Sequence, residues 1–427
     1  MLETLRNAWK IKEIRNKILF TIFIIIVFRI GSVIPVPFVD VAALKAASEA
    51  GTTNEFFSYL SILTGGGLEY GAIFAMSVTP YINSSIIIQL LCVAIPALER
   101  LSKEGEEGQK KLAQITRYAT VILALIQGVA YFFYLKNSNY LSVSGGIVVF
   151  AAFVIVLAFT AGSALVMWLG EQIDNKGIGN GISMLLFAGI LSRGPQALQA
   201  LIAYWKLNRQ IAVVGIVIGF LAVIAFIVWM TAAERRIPVQ YAKRVVGNKM
   251  YGGQNTHIPI KVNMSGVMPI IFASSILMLP TMILGFMKVQ NPPTSLYKFL
   301  SLFSVQGIFY AVIYFILIIG FAYFYATIQF NPVEMANNLR KNGGAVPGIR
   351  PGKPTSDFIS KILSRITLMG AIFLSVIAIL PIIIGSVGGI NISLGGTSVL
   401  IMVGVALDTV RNLESQMMMR HYKGFLD

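Results

Sequence analysis

Apolar residues in this chain come in long runs that short polar breaks interrupt. The runs extend over about 18 to 25 residues, which is the helix length that crosses a hydrocarbon core of roughly 30 Å. Ten such runs are candidate membrane spans, at about 18–37, 75–95, 118–136, 147–169, 182–203, 210–230, 265–286, 306–328, 366–386 and 396–413. The pattern therefore predicts an all-α membrane protein with ten transmembrane helices.

The ten spans divide into two sets of five at the outer segment 194–209. An odd number of spans in each half makes the second half run opposite to the first, which predicts two inverted pseudo-symmetric halves with a site between them. This inference rests on topology, because the two halves share no convincing sequence similarity. We assign 1–193 to the N-terminal half, 194–209 to an external hinge and 210–427 to the C-terminal half.

Charge supports the membrane assignment and sets the orientation. Only 12% of the 427 residues are charged, against about a quarter in soluble domains. If both termini are cytoplasmic, the cytoplasmic segments hold 26 of the 34 lysines and arginines, as the positive-inside rule requires. Two of these segments, the loops 231–264 and 329–365, are longer than topology needs, and long ordered loops usually bind a partner.

The chemistry of a typical enzyme is missing from the predicted spans. The two histidines lie in polar segments, Cys92 is the single cysteine, and Asp408 is the one acidic residue in a span. We therefore predict no catalytic residues, no metal and no cofactor. A solute transporter built on an inverted repeat stays open as the alternative, with Arg29 as its main candidate for an ionisable group within a span.

One apolar segment, TNEFFSYLSILTGGGLEYGA (53–72), is too short to cross a membrane. Its apolar run at 56–63 stops at Gly65, Gly66 and Gly67. The segment predicts a short re-entrant helix, which is tolerated where protein surrounds it or where it lines a water-filled cavity. A surface helix on the outer leaflet is the alternative.

The second span contains an unusual number of polar residues, in the stretch SVTPYINSSIIIQLL (77–91). On a helix, Val78 and Ile82 share one face, whereas Thr79 and Asn83 lie on the adjacent strip. Ordinary helix packing explains any single polar residue. The whole cluster favours a helix that lines both an aqueous path and a seam that can open.

Long segments of the chain resemble the SecY family, the pore subunits of the bacterial protein-conducting channel. The run GGGLEYGAIFAMSVTPYINSSIIIQLL is similar to the family's plug and second span. Further similar segments follow in the family's order: FRIGSVIPVP (28–37), LGEQIDNKGIGNGIS (169–183), YAKR (241–244), THIPIKVNMSGVMPIIFASS (256–275), FNPVEMANNLRKNGGAVPGIRPG (330–352) and GGTS (395–398). The resemblance implies ten helices in two halves around an hourglass pore.

The resemblance also implies specific roles for named residues. An aliphatic ring at the pore waist would consist of Val78, Ile82, Ile182, Leu186, Ile271 and Ile401. A plug at about 53–72 would include Phe56, Phe57, Leu60, Leu63, Gly65, Gly66 and Gly67. A lateral gate between spans 2 and 3 and spans 7 and 8 would carry Asn83, Gln89, Gln127, Ser274 and Ser275.

Partners and location follow from the same resemblance. The two long loops would dock the ribosome and the motor ATPase SecA through Arg235, Arg236, Lys243, Arg244, Arg340, Lys341 and Arg350. SecE and SecG would be companion subunits, and signal peptides, translocating polypeptides and membrane lipids would contact the channel. The expected function is conduction of unfolded secretory polypeptides across the bacterial plasma membrane, with lateral release of signal and transmembrane segments into the lipid.

Overall fold

The computed structural model describes residues 6, 8–49, 61, 65–143, 145–207, 210–241, 244–246, 249–251, 255–264, 266–287, 308–388 and 396–423. Helices dominate this part of the chain. Before residue 210 they are α1 (Lys12–Gly31), α2 (Val41–Glu49), α3 (Thr79–Ala94), α4 (Pro96–Lys103), α5 (Glu106–Asn137), α6 (Ile147–Lys176), α7 (Gly181–Leu191) and α8 (Gly194–Lys206). From residue 210 onward they are α9 (Gln210–Ala232), α10 (Met268–Met287), α11 (Ile308–Gln329), α12 (Pro332–Lys341), α13 (Lys353–Gly388) and α14 (Gly396–Lys423).

Each of the ten predicted spans overlaps a helix, although several boundaries differ. In the described part of the chain, five helices are long and apolar enough to cross a membrane, and the bent pair α3–α4 would make a sixth. The angle between α3 and α4 is 104°, at a break next to Pro96. Helices α5 and α13 begin well before their apolar runs, at Glu106 and Lys353.

The predicted fifth span is two helices rather than one. Helix α7 ends at Leu191, and α8 begins at Gly194 with a proline in its first turn. Proline is favoured in the first turn of a helix because the amide group it lacks has no intrahelical partner there. The break coincides with the predicted start of the external hinge.

A small sheet, which sequence analysis did not predict, lies in the two long loops. Strands β1 (Glu234–Tyr241), β4 (Asn255–Lys261) and β5 (Gly344–Ala345) form an antiparallel sheet in the order β4-β1-β5. Strands β2 (Arg244–Val246) and β3 (Lys249–Tyr251) form a separate two-stranded sheet. In β1, Ile237 and Val239 are buried while their neighbours are exposed, which is the alternation of a strand with one covered face.

The two long loops share one hydrophobic core and therefore form a single unit. We call it the basic-loop unit; it comprises β1, β4, α12, β5 and the first part of α13. Its buried core consists of Ile237, Val239, Ile260, Leu339, Val346, Ile359, Leu363 and Ile366. Asn331 is the N-cap residue of helix α12, and its side chain accepts hydrogen bonds from the amides of Val333 and Glu334 at 3.1 and 3.3 Å.

The turn between α6 and α7 explains the motif LGEQIDNKGIGNGIS. Asp174 Oδ1 accepts a 2.7 Å hydrogen bond from the amide of Gly181, and Asn180 Oδ1 accepts a 3.0 Å bond from the amide of Ser183. Gly179 adopts φ +76°, which suits glycine. Thr21 of α1 accepts a 3.1 Å hydrogen bond from the amide of Ile178. The motif thereby joins three helices closely.

Separate hydrophobic cores lie on each side of the break at 194. Helices α2, α5 and α6 share a core in which Leu135, Ile155 and Phe159 are fully buried. Helices α9, α10, α11, α13 and α14 share another, which includes Ile270 and Ile318. A third cluster draws residues from both sides of the break, and it contains the candidate site.

Candidate functional site

An apolar cluster joins the two predicted halves; we call it the central cluster. Helices α1, α3, α6 and α7 contribute to it from the first half, and α10 and α14 from the second. All six residues predicted for the ring belong to it. Val78, Ile182, Leu186 and Ile401 are buried, and Ile82 and Ile271 are partly buried against them.

Local geometry explains how these side chains reach one cluster. Val78 is the N-cap residue of α3, and its carbonyl accepts the amide of Ile82 at 3.0 Å, so the two residues stack on one face. Ile182 lies in the first turn of α7, directly after the tight α6–α7 turn. Its Cδ1 atom lies only 2.6 Å from the position that a Cβ atom on Gly170 would occupy. Close helix approach at this glycine holds Ile182 in the cluster.

An irregular segment precedes α3; we call residues 65–72 the anchor loop. The backbone that follows α1 holds this loop in place. The amide of Val36 donates a 2.9 Å hydrogen bond to the carbonyl of Gly71, and the amide of Ile73, the next residue after the loop, donates a 3.0 Å bond to the carbonyl of Ile34. Tyr131 of α5 donates a 3.0 Å hydrogen bond to the carbonyl of Leu68. The loop is therefore well bonded despite having no regular structure.

The three glycines predicted for the plug lie in the anchor loop. Gly65 and Gly66 have φ values of +67° and +91°, where a side chain would be strained, while Gly67 lies close to the backbone of Phe74 and Ala75. The other predicted plug residues, Phe56, Phe57, Leu60 and Leu63, lie outside the described residues.

The predicted lateral gate coincides with a contact between helices of different halves, since α10 contacts both α3 and α5. Gln89 donates a 3.4 Å hydrogen bond to Ser85, and Ser274 donates a 2.9 Å bond to the carbonyl of Ile271, so both bonds stay within one helix. Asn83 Oδ1 is buried without a hydrogen-bond partner in the described structure. Gln127 and Ser275 are half-buried.

The two halves also meet at the end predicted to be cytoplasmic. Ala8, Ile14 and Ile178 form a small cluster with Leu413 of α14. Lys17 donates a 3.2 Å hydrogen bond to Gln416 of the same helix. These contacts place the first and last described helices side by side.

The predicted docking residues lie on or beside the basic-loop unit. Arg235 and Arg236 are exposed on β1, and Arg236 pairs with Glu234 at 2.7 Å. Arg340 and Lys341 are exposed at the end of α12. Arg350 is exposed in a turn between two glycines, and its carbonyl accepts a 2.9 Å hydrogen bond from Thr355.

Two predicted docking residues have no described side chain. Arg244 lies on β2, and Lys243 lies outside the described residues.

Sequence reasoning missed one polar group of the site. Arg193, between α7 and α8, is 8% exposed and pairs with Glu69 of the anchor loop. The available signal was an arginine two residues after the end of an apolar run at Leu191 and directly before Gly194 and Pro195. That pattern marks a helix break, but it does not identify the partner.

An apolar cluster between two helical halves, with an irregular loop before it and a helix seam beside it, is the arrangement that the family resemblance implies for a membrane channel. The sequence model of the SecY family matches residues 72–410. The chain belongs to the SecY family. This membership confirms the resemblance read from the sequence, and with it the fold class of ten helices in two halves and the assignment as a channel rather than an enzyme.

The relatives match the chain over its full length. It is 44% identical to the protein translocase subunit SecY of Bacillus subtilis over 439 residues, with both chains fully covered. It is 42% identical to the protein of the same name from Mycobacterium bovis over 443 residues, again with both fully covered. The corresponding protein of Thermotoga maritima is 42% identical, with 100% of this chain and 98% of that protein covered.

Solved structures share the fold at lower identity. A structure described as a protein conducting channel has a TM-score of 0.65 and 18% identity, covering 94% of this chain and 92% of that one. A structure of Sec61 in the canine ribosome–channel complex from the endoplasmic reticulum has a TM-score of 0.61 at 18% identity, with the same coverages. At such identity the likeness concerns the fold alone.

Proposed function

We propose that this chain is the central, channel-forming subunit of a bacterial protein translocase. It conducts unfolded secretory polypeptides across the plasma membrane and releases signal and transmembrane segments laterally into the lipid. The observation that carries this proposal is the central cluster, in which all six predicted ring residues meet at the interface of the two halves. Family membership supplies the context in which that cluster acts as a pore.

A ring of aliphatic side chains suits a conduit for polypeptides. A narrow apolar constriction loses its water, so an ion must shed its hydration to pass. Branched aliphatic side chains can also repack around a chain of variable width, because no directional bond fixes them. The close packing of Val78, Ile182 and Leu186 supports a sealed resting state.

A lateral gate at the contact of α10 with α3 and α5 would open at modest cost. Hydrogen bonds between helices in lipid are worth only about 0.6–2 kcal/mol each. The described bonds of Gln89 and Ser274 stay within their own helices and would survive separation of the seam. An apolar signal helix that gains lipid contact could therefore part the seam.

The energy for transport would come from partners. SecA with ATP, or the translating ribosome, would dock on the basic-loop unit, and SecE and SecG would complete the complex. Exposed arginines there suit the phosphates of ribosomal RNA as well as acidic protein surfaces. The positive-inside bias supports cytoplasmic termini, with this unit on the cytoplasmic side.

Replacing Arg350 by glutamine should weaken binding of SecA or of ribosomes about fivefold in reconstituted vesicles, because an exposed charge pair is worth only modest energy. The loss should shrink as salt is raised, since screening already weakens the contact. Binding would be measured by co-sedimentation across a salt series. Arg365→Gln, within helix α13 and also exposed, is the control and should bind as the wild type does.

The conduit itself is tested by crosslinking in membrane vesicles. We expect a cysteine at Ile82, with Cys92 replaced by serine, to form a disulfide with a single-cysteine secretory precursor stalled by SecA and ATP. The disulfide should form only with the stalled chain, because we propose that Ile82 lines the ring through which that chain passes. Ile87, on the same helix and 43% exposed, provides the matched control and should stay unreactive.

The outcomes separate the competing functions. Reaction at Ile87 but not at Ile82 would mean that the register of the ring is wrong. Silence at every ring position while the precursor still crosses would overturn the pore assignment. Saturable uptake of a small solute by vesicles without any motor would favour the transporter alternative. Arg29, its main candidate, donates a 3.4 Å hydrogen bond to the carbonyl of Gly65 and thus helps to hold the anchor loop.

A further inference from the structure

A small cavity lies where the basic-loop unit meets the membrane helices. Its volume is about 10 Å³, and its walls come from residues 262–264, from Ala322 of α11 and from α13. Residues 262–264 follow β4 and lead towards α10; we call them the α10 linker. Because α10 carries the predicted ring residue Ile271, the linker connects the basic-loop unit to the central cluster.

The linker backbone lies directly against α13. One face of this helix lines the cavity with residues spaced three and four apart, which are Thr367, Gly370, Ala371 and Leu374. A Cβ atom added to Gly370 would lie only 2.5 Å from the carbonyl oxygen of Val262. The glycine therefore permits a close approach of linker and helix, and the cavity lies beside this contact.

Two polar side chains line the cavity without a protein partner. Asn263 Oδ1 is buried and accepts no hydrogen bond in the described structure. The hydroxyl group of Thr367, a residue that is 5% exposed, also makes no hydrogen bond to any described residue. Ser375, about two turns further along α13, instead donates a 2.7 Å bond to the carbonyl of Ala371. A buried polar group without a partner requires an explanation, and here two of them line one cavity.

A single water molecule fits both the size and the chemistry of this cavity. About 10 Å³ is close to the smallest volume that holds one water, and it excludes larger ligands. Water can donate one hydrogen bond to Asn263 Oδ1 and form a second with the Thr367 hydroxyl, which both donates and accepts. Such a bridge is nearly as favourable in enthalpy as a direct hydrogen bond.

We propose that this cavity is a binding site for one ordered water molecule, which bridges Asn263 of the α10 linker to Thr367 of α13. The water fastens the linker to a helix that runs from the basic-loop unit into the core of the second half. The site goes beyond the proposed function, because it does not depend on what crosses the channel.

Thermal unfolding of the purified protein in detergent tests the site by the direction of one shift. Leucine is close to asparagine in volume but offers no acceptor. Asn263→Leu should lower the unfolding midpoint by about 2 °C, because the bound water loses a partner. An acceptor that binds nothing is costly to bury, so its removal would leave the midpoint unchanged or raise it. Either of those results would overturn the water site.

A second substitution shows whether the two side chains share the water. Thr367→Val should also lower the midpoint by about 2 °C, and the double variant should lower it by about 2–3 °C rather than by about 4 °C, since both changes remove the same water. Ser375→Ala is the matched control, because that hydroxyl is bonded within α13. Its effect should add in full to that of Asn263→Leu. Full additivity of Asn263→Leu and Thr367→Val would contradict the bridge.

The wild-type complex provides a measurement that needs no variant. A cryo-EM map at about 2 Å resolution, in which other ordered waters are visible, should show a peak within about 3.2 Å of both Asn263 Oδ1 and Thr367 Oγ1. A map without that peak would overturn the site. So would a midpoint that falls when sodium in the buffer is replaced by choline, because the ligand would then be a cation. None of these measurements uses transport, so the proposed function can fail while the water site stands.

Discussion

Replacing Gly181 by alanine is expected to destabilise the channel by about 3 kcal/mol and to deplete it from the membrane. An added Cβ atom would lie 1.9 Å from the carbonyl oxygen of Gly170 and 2.9 Å from Cβ of Ile173. Backbone cannot move aside as a flexible side chain can, so α7 would have to shift away from α6. The shift would also stretch the hydrogen bond from the Gly181 amide to Asp174.

Two other glycines provide control positions for this prediction. At Gly215 and Gly219 of α9, nothing lies within 4 Å of an added Cβ atom. Alanine there should be neutral or slightly stabilising, because alanine favours helix by about 1 kcal/mol over glycine. Thermal unfolding of the purified proteins in detergent compares the three variants directly. A Gly181→Ala protein that melts together with the Gly215→Ala protein would refute the close approach of α6 and α7.

The helical framework could be predicted from the sequence because a polypeptide backbone surrounded by lipid can adopt few conformations. Every backbone group within the membrane must be bonded internally, so a long apolar run becomes a helix. Each predicted span accordingly overlaps a helix. The break after Leu191 was missed because the apolar pattern continues through α8, and only a glycine followed by Pro195 marks it.

The basic-loop unit could not be predicted in the same way. The alternation of Ile237 and Val239 in β1 is short, and exposed charged residues precede it. Its partners are distant in sequence: β4 follows after a second small sheet, and β5 belongs to the other long loop. Pairing across such distances depends on tertiary packing, which local patterns do not encode.

The candidate site, too, could be predicted only in part from local sequence patterns. Helical spacing places Val78 and Ile82 on one face, but only family resemblance assigns them, with Ile271 and Ile401, to a single ring. The contact between Arg193 and Glu69 could not be predicted, because the two residues are 124 apart in sequence and only Glu69 lies in a segment that carries the family resemblance. Buried ion pairs of this kind emerge only when the chain is folded.

Replacing both Ile82 and Ile271 by serine is expected to raise the resting ion conductance of the channel about 100-fold, which corresponds to a barrier lower by roughly 2.7 kcal/mol. Serine shortens both side chains and offers a hydroxyl group to water, so the constriction would hydrate and an ion would keep more of its shell. These two ring residues are only partly buried, whereas Val78 and Ile401 are fully packed. Their replacement should therefore disturb folding least.

The matched control lies on the same two helices. Ile87 of α3 and Ile276 of α10 are 43% and 37% exposed, and they do not belong to the central cluster. Serine at both positions makes the same chemical change outside the ring and should leave the conductance unchanged. Single-channel recording in planar bilayers, without any precursor, measures both double variants. Equal conductance in the two would show that the central cluster does not form the ion barrier, and the aliphatic ring would lose its role.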